Sequence, residues 1–570
     1  MSIIDWIVLI ATLLIIILYG LWKSKGQSDL NSYFLSNQSM PWYIVLFSIM
    51  GTQASAITFL SAPGQAYTDG MRFVQYYFGL PLAMIVLCIS FVPIYHKLKV
   101  FTAYEFLETR FDKKTRLLTS FLFLLQRGLS TGISIYAPSL ILSSILGWDI
   151  FITNLVTGGL LIIYTVAGGS KAVSYTQTQQ LFIIFCAMFL AGYMVVNLMP
   201  KGLGFSDALS IAGASGKLNI ITTGINENGF DWKDKYNIFS GIIGGFFLAL
   251  SYFGTDQSQV GRYLTAGSLT ESRQGLLMNG FVKVPMQFFI LLIGVLVFSF
   301  YSIYKAPIYF NQLILDKTYQ SEYGGELAKV DSNYQNIQLT KKETALLLIE
   351  AKDKQQELES NQLKSKLKGL EKSAIQSRKE ASAIIKKANP TADTNDTNYI
   401  FLRFVIDNLP KGLVGLLIAV IFLAAWGSIA AALNSLASSS IIDWHYLFNK
   451  KDIDGAIQLK VSRYYTLGWG IFSIIIANIA GQMGSLIEAV NILGSLFYGT
   501  ILGIFIVAFY LKRINANSTF IAALISEAII IYIYIQDIVS FLWLNLIGCL
   551  LVVIISTIIQ VSTKLKLEIK

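Results

Sequence analysis

Apolar residues along this chain come in long blocks rather than alternating with polar ones. A bilayer-spanning helix needs about 20 consecutive apolar residues, and thirteen blocks approach or exceed that length. They cover residues 3–22, 42–60, 78–95, 117–146, 150–167, 181–198, 238–253, 280–303, 412–442, 464–479, 486–510, 520–535 and 539–561. The pattern predicts an all-α polytopic membrane protein of about 13 transmembrane helices. Two blocks are interrupted. In the second, the apolar run gives way to Gly51-Thr52-Gln53-Ala54-Ser55, with Pro63-Gly64 beyond. Five blocks later, 238–253 runs into Gly254-Thr255-Asp256-Gln257-Ser258-Gln259. Lipid offers no partner to freed backbone groups, so a broken helix persists only where it lines a cavity or holds something. Two interruptions at matching places in two halves point to an inverted-repeat transporter, with freed carbonyls facing a cation and half-helix ends facing a solute.

Composition supports the membrane reading. Of the 570 residues 54% are hydrophobic and only 14% charged, against about 25% charged in soluble domains. The segment 341–387 holds 19 of the 78 charged residues, which leaves the remainder poorer still. A net charge of +10 would suggest nucleic acid in a soluble protein. Here the cations cluster at the ends of apolar blocks, as the positive-inside rule requires, and no nucleic-acid partner is expected. The first block follows Asp5 and precedes Lys23 and Lys25, the reverse of a signal peptide's charge order. It reads as an uncleaved helix with its N-terminus outside. The connections after the third, seventh, ninth and eleventh blocks, all on one side, carry Lys97, Lys99, Arg110, Lys113, Lys114, Arg116, Arg262, Arg273, Lys450, Lys451, Lys460, Lys512 and Arg513. With Lys564, Lys566 and Lys570 at the tail, they predict a cytoplasmic C-terminus in a plasma (inner) membrane.

Cys88, Cys186 and Cys549 lie far apart inside apolar blocks and read as small buried hydrophobes. His96 and His445 make neither a zinc site nor a nucleophile pattern, so neither an enzyme nor a resident cofactor is expected.

The loop 304–410 is the one long connection. Within it Leu363, Leu367, Leu370, Ala374, Ala381, Ile385 and Ala388 recur at helical spacing among charges. Two readings stand. One is an external helical appendage that docks a protein partner or covers a solute entrance. The other, favoured, is a solvated helix or hairpin, bent near Gly369, with no part in transport.

Ionisable groups inside the apolar blocks carry the candidate chemistry, since each costs about 2.5–3.5 kcal/mol at mid-span. Arg127, Asp256 and Lys283 qualify. Asp256 paired with Arg127 or Lys283 in a wet cavity would offset that cost. Ser485-x-x-Glu488 matches a capping box at the start of a helix, which assigns Glu488 to structure. The block 412–442 carries Ser428, Ser435, Ser438 and Ser439. Most of these are expected to back-bond to their own helix, while hydroxyls set against a broken helix suit Na⁺.

These features resemble the sodium:solute symporter family, the group containing sodium/glucose and sodium/proline cotransporters. The resemblance rests on SMPWYIVLFSIMG, TAYEFLETRFDKK, AGGSKAVSYTQTQQ, FGTDQSQVGRYL, GFVK, NSLASSSIIDW and VNILGSLFYG in order, and covers the chain except the insertion. It implies a LeuT-type core of two inverted five-helix repeats. Residues 1–25 would form a leading helix, 40–200 the first repeat, and 201–303 with 411–511 the second. The extracytoplasmic insertion would occupy 304–410, and C-terminal helices with a short tail 512–570.

The resemblance implies sodium ligands at Gly51, Ala54, Ala424, Gly427 and Ser428. Relatives often carry Ser-Ser or Ser-Thr where this chain has Gly427-Ser428, so one hydroxyl ligand is missing. Some relatives support a second sodium with an aspartate where this chain has Gln177, so no second sodium is expected. Implied solute contacts are Gln53, Thr58, Asp256, Lys283 and Asn491, to which the intramembrane Arg127 and the interruption's Gln257 are added. Sugar-transporting relatives have Asn where Asp256 stands and Gln where Asn491 stands. The expected activity is Na⁺-coupled symport of a small organic solute by alternating access. A proton-coupled or uncoupled transporter on this fold, and a sensor signalling through the insertion, are the alternatives.

Overall fold

The computed structural model describes residues 1–23, 34–98, 100–390, 392–448 and 455–568. Lys25, Lys99, Lys450, Lys451 and Lys570, counted above among the orienting charges, lie outside them. Among the described residues the only paired strands are Ile225–Asn226 and Gly229–Phe230, and everything that spans is helical.

The first apolar block is α1 (Ile3–Lys23). The second is split into α2 (Trp42–Gln53) and α3 (Ala56–Asp69). The break is narrower than the sequence indicated, and helix α3 runs straight through Pro63-Gly64. Next come α4 (Leu80–Ile89), α5 (Phe91–Leu98), the short α6 (Glu105–Arg110) and α7 (Lys113–Leu146). Helix α7 starts where the Asp112 carboxylate accepts the Thr115 N–H at 2.8 Å and stops at Gly147, whose φ of 69° no helix accommodates.

Two expected spans form one helical assignment, α8 (Ile150–Asn197). Yet the Tyr164 hydroxyl lies 3.1 Å from that of Thr176, and a straight helix would set those residues about 18 Å apart along its axis. The stretches Ile150–Val166 and Val173–Asn197 are therefore bent back on each other, as two spans require. Then follow α9 (Phe205–Ala214), a second split pair α10 (Gly245–Thr255) and α11 (Gln257–Tyr263), and α12 (Leu269–Ile303).

The insertion is α13 (Gln312–Tyr319), α14 (Gly324–Asp353), α15 (Glu357–Ala388) and α16 (Thr397–Asn408). Helices α14 and α15 form a hairpin. The chain turns at residues 354–356, where Gln355 takes φ 55°, and not near Gly369, which sits inside α15 with open space where a Cβ would stand. Leu367, Ala374, Ala381 and Ile385 are buried, as their spacing predicts, while Leu363, Leu370 and Ala388 are partly covered.

The remaining helices are α17 (Leu413–Ser439), α18 (Gly455–Ala477), α19 (Leu486–Tyr510), α20 (Ala516–Ile535) and α21 (Phe541–Glu568). Helix α17 is buried along nearly its whole length, at the centre of the bundle, and back-bonds through Ser428, Ser435 and Ser438. Asp5 of α1 accepts the Gly412 N–H at 2.6 Å, which puts the start of α1, the start of α17 and the insertion at one end of the molecule. Nine helices among the described residues are long and apolar enough to cross a membrane. Of the other expected spans, 42–60 is broken, 150–167 and 238–253 fall in shorter apolar helices, and 464–479 falls in α18, a helix of 23 residues. Cys88 and Cys549 are buried, but Cys186 lies exposed on the outer surface of α8.

Candidate functional site

At the first break, helix α2 ends and Ala54 takes φ −80°, ψ 81°. The Ser55 N–H, which a continuing helix would give to the Gly51 carbonyl, goes to Gln53 at 3.0 Å. The Thr58 N–H, due to Ala54, goes to Ser55 at 2.9 Å. Gly51 and Ala54 thus lose their helical donors, and neither carbonyl gains another among the described residues. Two free carbonyl oxygens in a protein interior suit a hard cation.

Helix α17 packs beside this break. Ser428 gives its hydroxyl to its own helix, 2.9 Å from the Ala424 carbonyl, and its side chain lines the same cavity as Gln53 and Ser55. The Gly427 carbonyl receives the Gln177 amide at 3.0 Å. That amide also donates to the Thr52 hydroxyl at 3.2 Å and accepts from Ser48 at 2.8 Å. Gln177 is fully buried and ties the first half-helix to α17. Both neighbouring glycines make room for it. A Cβ at Gly51 would stand 3.0 Å from Gln177, and one at Gly427 would stand 3.2 Å from Gln177 and 2.6 Å from the side-chain amide oxygen of Gln180.

The second break is a single residue, Asp256, at φ −78°, ψ 118°. Two of its carbonyls are already used. Tyr95 donates to Gly254 and Tyr104 to Thr255, both at 2.8 Å. The chemistry here belongs to side chains. Asp256 caps α11 through the Ser258 N–H at 2.8 Å and hydroxyl at 2.6 Å, and accepts the Tyr498 hydroxyl at 2.7 Å. The Arg127 guanidinium stands 3.0 Å from its second oxygen, contacts Ser258, and lies 5.5 Å from the centre of the Tyr252 ring. Of the two cations that the sequence offered to Asp256, Arg127 is the one it meets.

Between the breaks lies a cavity of about 120 Å³. Gln53, Thr58, Arg127, Ser428 and Asn491 line it, as do Ser130, Thr131 and Ser134 from α7. Asp256, 1% exposed, stands behind Arg127 rather than on the wall. Gln257 points elsewhere, accepting the Ala103 N–H at 3.0 Å and donating to the Phe101 carbonyl at 2.7 Å. It fixes the 101–103 connection beside a second lattice, in which Arg116 grips Asp443 and Glu108 at 2.7 Å each. Lys283 is fully buried on α12, and its ammonium has no hydrogen-bond partner among the described residues. On the same helix, the Gly275 position approaches Val45 and the Gly294 position approaches Pro63, so Lys283 runs alongside the first break.

Tyr498, which grips Asp256, and the hydroxyl stripe of α7 were missed by the sequence reading. Their signals stood in VNILGSLFYG and in QRGLSTGIS, where Ser130, Thr131 and Ser134 follow Gln126 and Arg127 at helical spacing.

Toward the insertion, the cavity is roofed by Tyr76, whose hydroxyl donates to Asn491 at 3.1 Å. Above it Ser485 donates to Gln65 at 3.1 Å, while Glu488 accepts Lys235 at 2.8 Å and Tyr236 at 3.1 Å. The expected capping box is therefore absent. Ser485 starts α19 without a side-chain cap, because its hydroxyl and the Glu488 carboxylate both bind neighbouring segments.

The model of the Sodium:solute symporter family matches residues 33–322 and 379–526, most of the chain. The chain belongs to the sodium:solute symporter family. This symporter is 24% identical over 97% of its length to a sodium/sialic acid symporter of Aliivibrio fischeri, covering 92% of that protein. It is 31% identical to a sodium-coupled monocarboxylate transporter of Homo sapiens over 46% of this chain and 42% of that one. A solved structure, the substrate-bound outward-open state of a Na⁺-coupled sialic acid symporter, superposes with a TM-score of 0.74 at 24% identity, covering 98% of both chains. These relatives are named for acids rather than for glucose or proline. The symporter is a Na⁺-coupled, multi-pass integral membrane transporter with a LeuT-like fold, not an enzyme, and moves a small solute together with Na⁺.

Proposed function

We propose that this symporter carries a small carboxylate-bearing solute with one Na⁺ per cycle. The observation that carries the solute class is Arg127. Its guanidinium reaches the cavity wall while the carboxylate that balances it stands behind. A guanidinium held from behind by Asp256, Ser258 and Tyr252 offers its free edge to a carboxylate in fork geometry. Gln53, Thr58 and Asn491 supply further hydrogen bonds from the cavity wall. The names of the relatives above, sialic acid and monocarboxylate, agree with an acid.

The Na⁺ site in this reading is the pair of donorless carbonyls of Gly51 and Ala54 facing the Ala424, Gly427 and Ser428 edge of α17. Gln177 places an N–H donor, not a carboxylate, between the two helices, which favours a single sodium. Sodium bridging α2 to α17 favours the state open toward the insertion end. The solute then binds between the half-helices, the Gln65–Ser485–Glu488 layer closes, and the Arg116–Asp443 lattice opens at the other end. In the orientation expected from the charges, the insertion is extracytoplasmic, the C-terminus cytoplasmic, and thirteen spans comprise two inverted five-helix repeats with flanking helices.

One Na⁺ with one carboxylate moves no net charge. A neutral solute with one Na⁺ would gain about 2.3 kcal/mol per 100 mV, roughly 40-fold in accumulation. In proteoliposomes, Na⁺-driven uptake of sialic acid and short monocarboxylates, but not neutral sugars, is expected. An imposed 100 mV potential leaves acid uptake unchanged, and Arg127→Gln abolishes it. Uptake restricted to neutral sugars, and driven by voltage, would overturn the reading.

A further inference from the structure

A second cavity, of about 510 Å³, lies between the hairpin and the end of the bundle. Its floor is the Gln65–Ser485–Glu488 layer, so it stands directly over the central cavity. The family model passes over residues 323–378, and the hairpin that this stretch builds supplies Gln338, Lys341 and Glu371 to the cavity wall.

The charges on that wall do not balance. Lys217 from the bundle and Lys341 from α14 share one carboxylate, Glu371, at 3.5 and 2.6 Å, and both ammoniums flank the Phe298 ring at 4.8 and 4.3 Å. Lys217 and Lys341 are 6% and 3% exposed, so their mutual repulsion is little screened by water. Arg378 uses one edge on Asp396 at 2.6 Å, and Lys379 pairs with no carboxylate among the described residues. Glu488 is taken by Lys235. Two positive charges remain in excess. Burial would raise the Glu371 carboxyl, but the two ammoniums outweigh it and hold it at about 2. Glu371 therefore stays charged, and the excess does not grow by its protonation near neutral pH.

We propose that this vestibule is a second anion site, built jointly by the hairpin and the bundle, which takes a carboxylate solute by way of Lys217, Lys341 and Arg378 before the gate beneath it opens. It rests on the carboxylate reading of the central cavity, but it is tested apart from it. A cleft with an excess of positive charge raises the local concentration of anions.

The test places a thiol on the wall of the full-length protein. Ser382→Cys is made with Cys186→Ser, the other two cysteines being buried. Its reaction rates with anionic sulfonatoethyl and cationic trimethylammonioethyl methanethiosulfonate are each divided by the rate for a free thiol. The expected ratio favours the anion by about tenfold. Lys217→Gln with Lys341→Gln brings it near unity, and Lys379→Gln, at an exposed position, lowers it partway. Propionate slows the anionic reagent saturably, and chloride at equal ionic strength does not. A normalised ratio at or below one, or the absence of propionate protection, overturns the proposal. Arg127→Gln keeps the ratio and the protection while losing uptake. If that variant still transports acids and the vestibule is still shielded by propionate, the central reading alone has failed.

Discussion

The two broken helices solve one problem in opposite ways. At the first break the Gly51 and Ala54 carbonyls lose their donors and receive none. At the second the carbonyls of Gly254 and Thr255 are closed off by Tyr95 and Tyr104, and a side-chain charge, Asp256, is held by Arg127 and Tyr498. In the proposed function the freed carbonyls hold the cation, whereas the buried ion pair beside the cavity anchors a charged solute. One structural motif, used twice, then serves two binding chemistries.

The largest expected effect comes from unbalancing the second break. Asp256→Ala strands the Arg127 charge, and removing one partner of a buried pair costs about 3–5 kcal/mol. Detergent thermal stability is expected to fall accordingly and uptake to drop by two orders of magnitude or more; a variant with wild-type stability would show that Arg127 does not depend on Asp256. A smaller change makes the second break resemble the first. Tyr104→Phe frees the Thr255 carbonyl at a cost of about 1 kcal/mol, seen as a modest loss of stability with solute affinity retained. Should Tyr104→Phe instead lower the apparent solute affinity tenfold, the tyrosine cap would be part of the solute site.

The sequence exposed both breaks because glycine, polar and charged residues interrupt otherwise apolar blocks. It could not show their widths. Gly254 and Thr255 read as part of an interruption, yet they remain helical because two distant tyrosines satisfy them. Gln257 and Lys283 were grouped with the solute contacts by position along the chain. The fold turns Gln257 toward the 101–103 connection and leaves Lys283 alongside the first break. Ser485-x-x-Glu488 shows the same limit: the local spacing fits a capping box, but Gln65, Lys235 and Tyr236 bind these side chains from elsewhere in the chain. The hairpin turn at Gln355 was invisible because KDKQQ holds neither glycine nor proline, and Gly369 drew the expected bend to itself. The apolar face of α15 was legible, since its period survives whichever element covers it.

The smallest effect concerns the hairpin. Its Glu371 carboxyl is depressed in the folded protein to about 2 from the usual 4.5. Its contribution to docking is complete above the ordinary carboxylate range and is lost as pH falls toward 2. Hydrogen exchange of α14 and α15, corrected for its intrinsic pH dependence, is expected to be flat between pH 5 and 8. A loosening centred near pH 6 would mean that another group controls the hairpin.

The division of labour between the breaks is tested most directly by titrating Na⁺ and solute separately in uptake by Ser428→Ala and Arg127→Lys. Ser428→Ala is predicted to raise the half-saturating Na⁺ concentration about tenfold, the weight of roughly 1.4 kcal/mol, with the solute KM unchanged at saturating Na⁺. Arg127→Lys is predicted to raise the solute KM and leave the Na⁺ requirement alone. If both variants shifted the same parameter, cation and solute would not be assigned to different breaks.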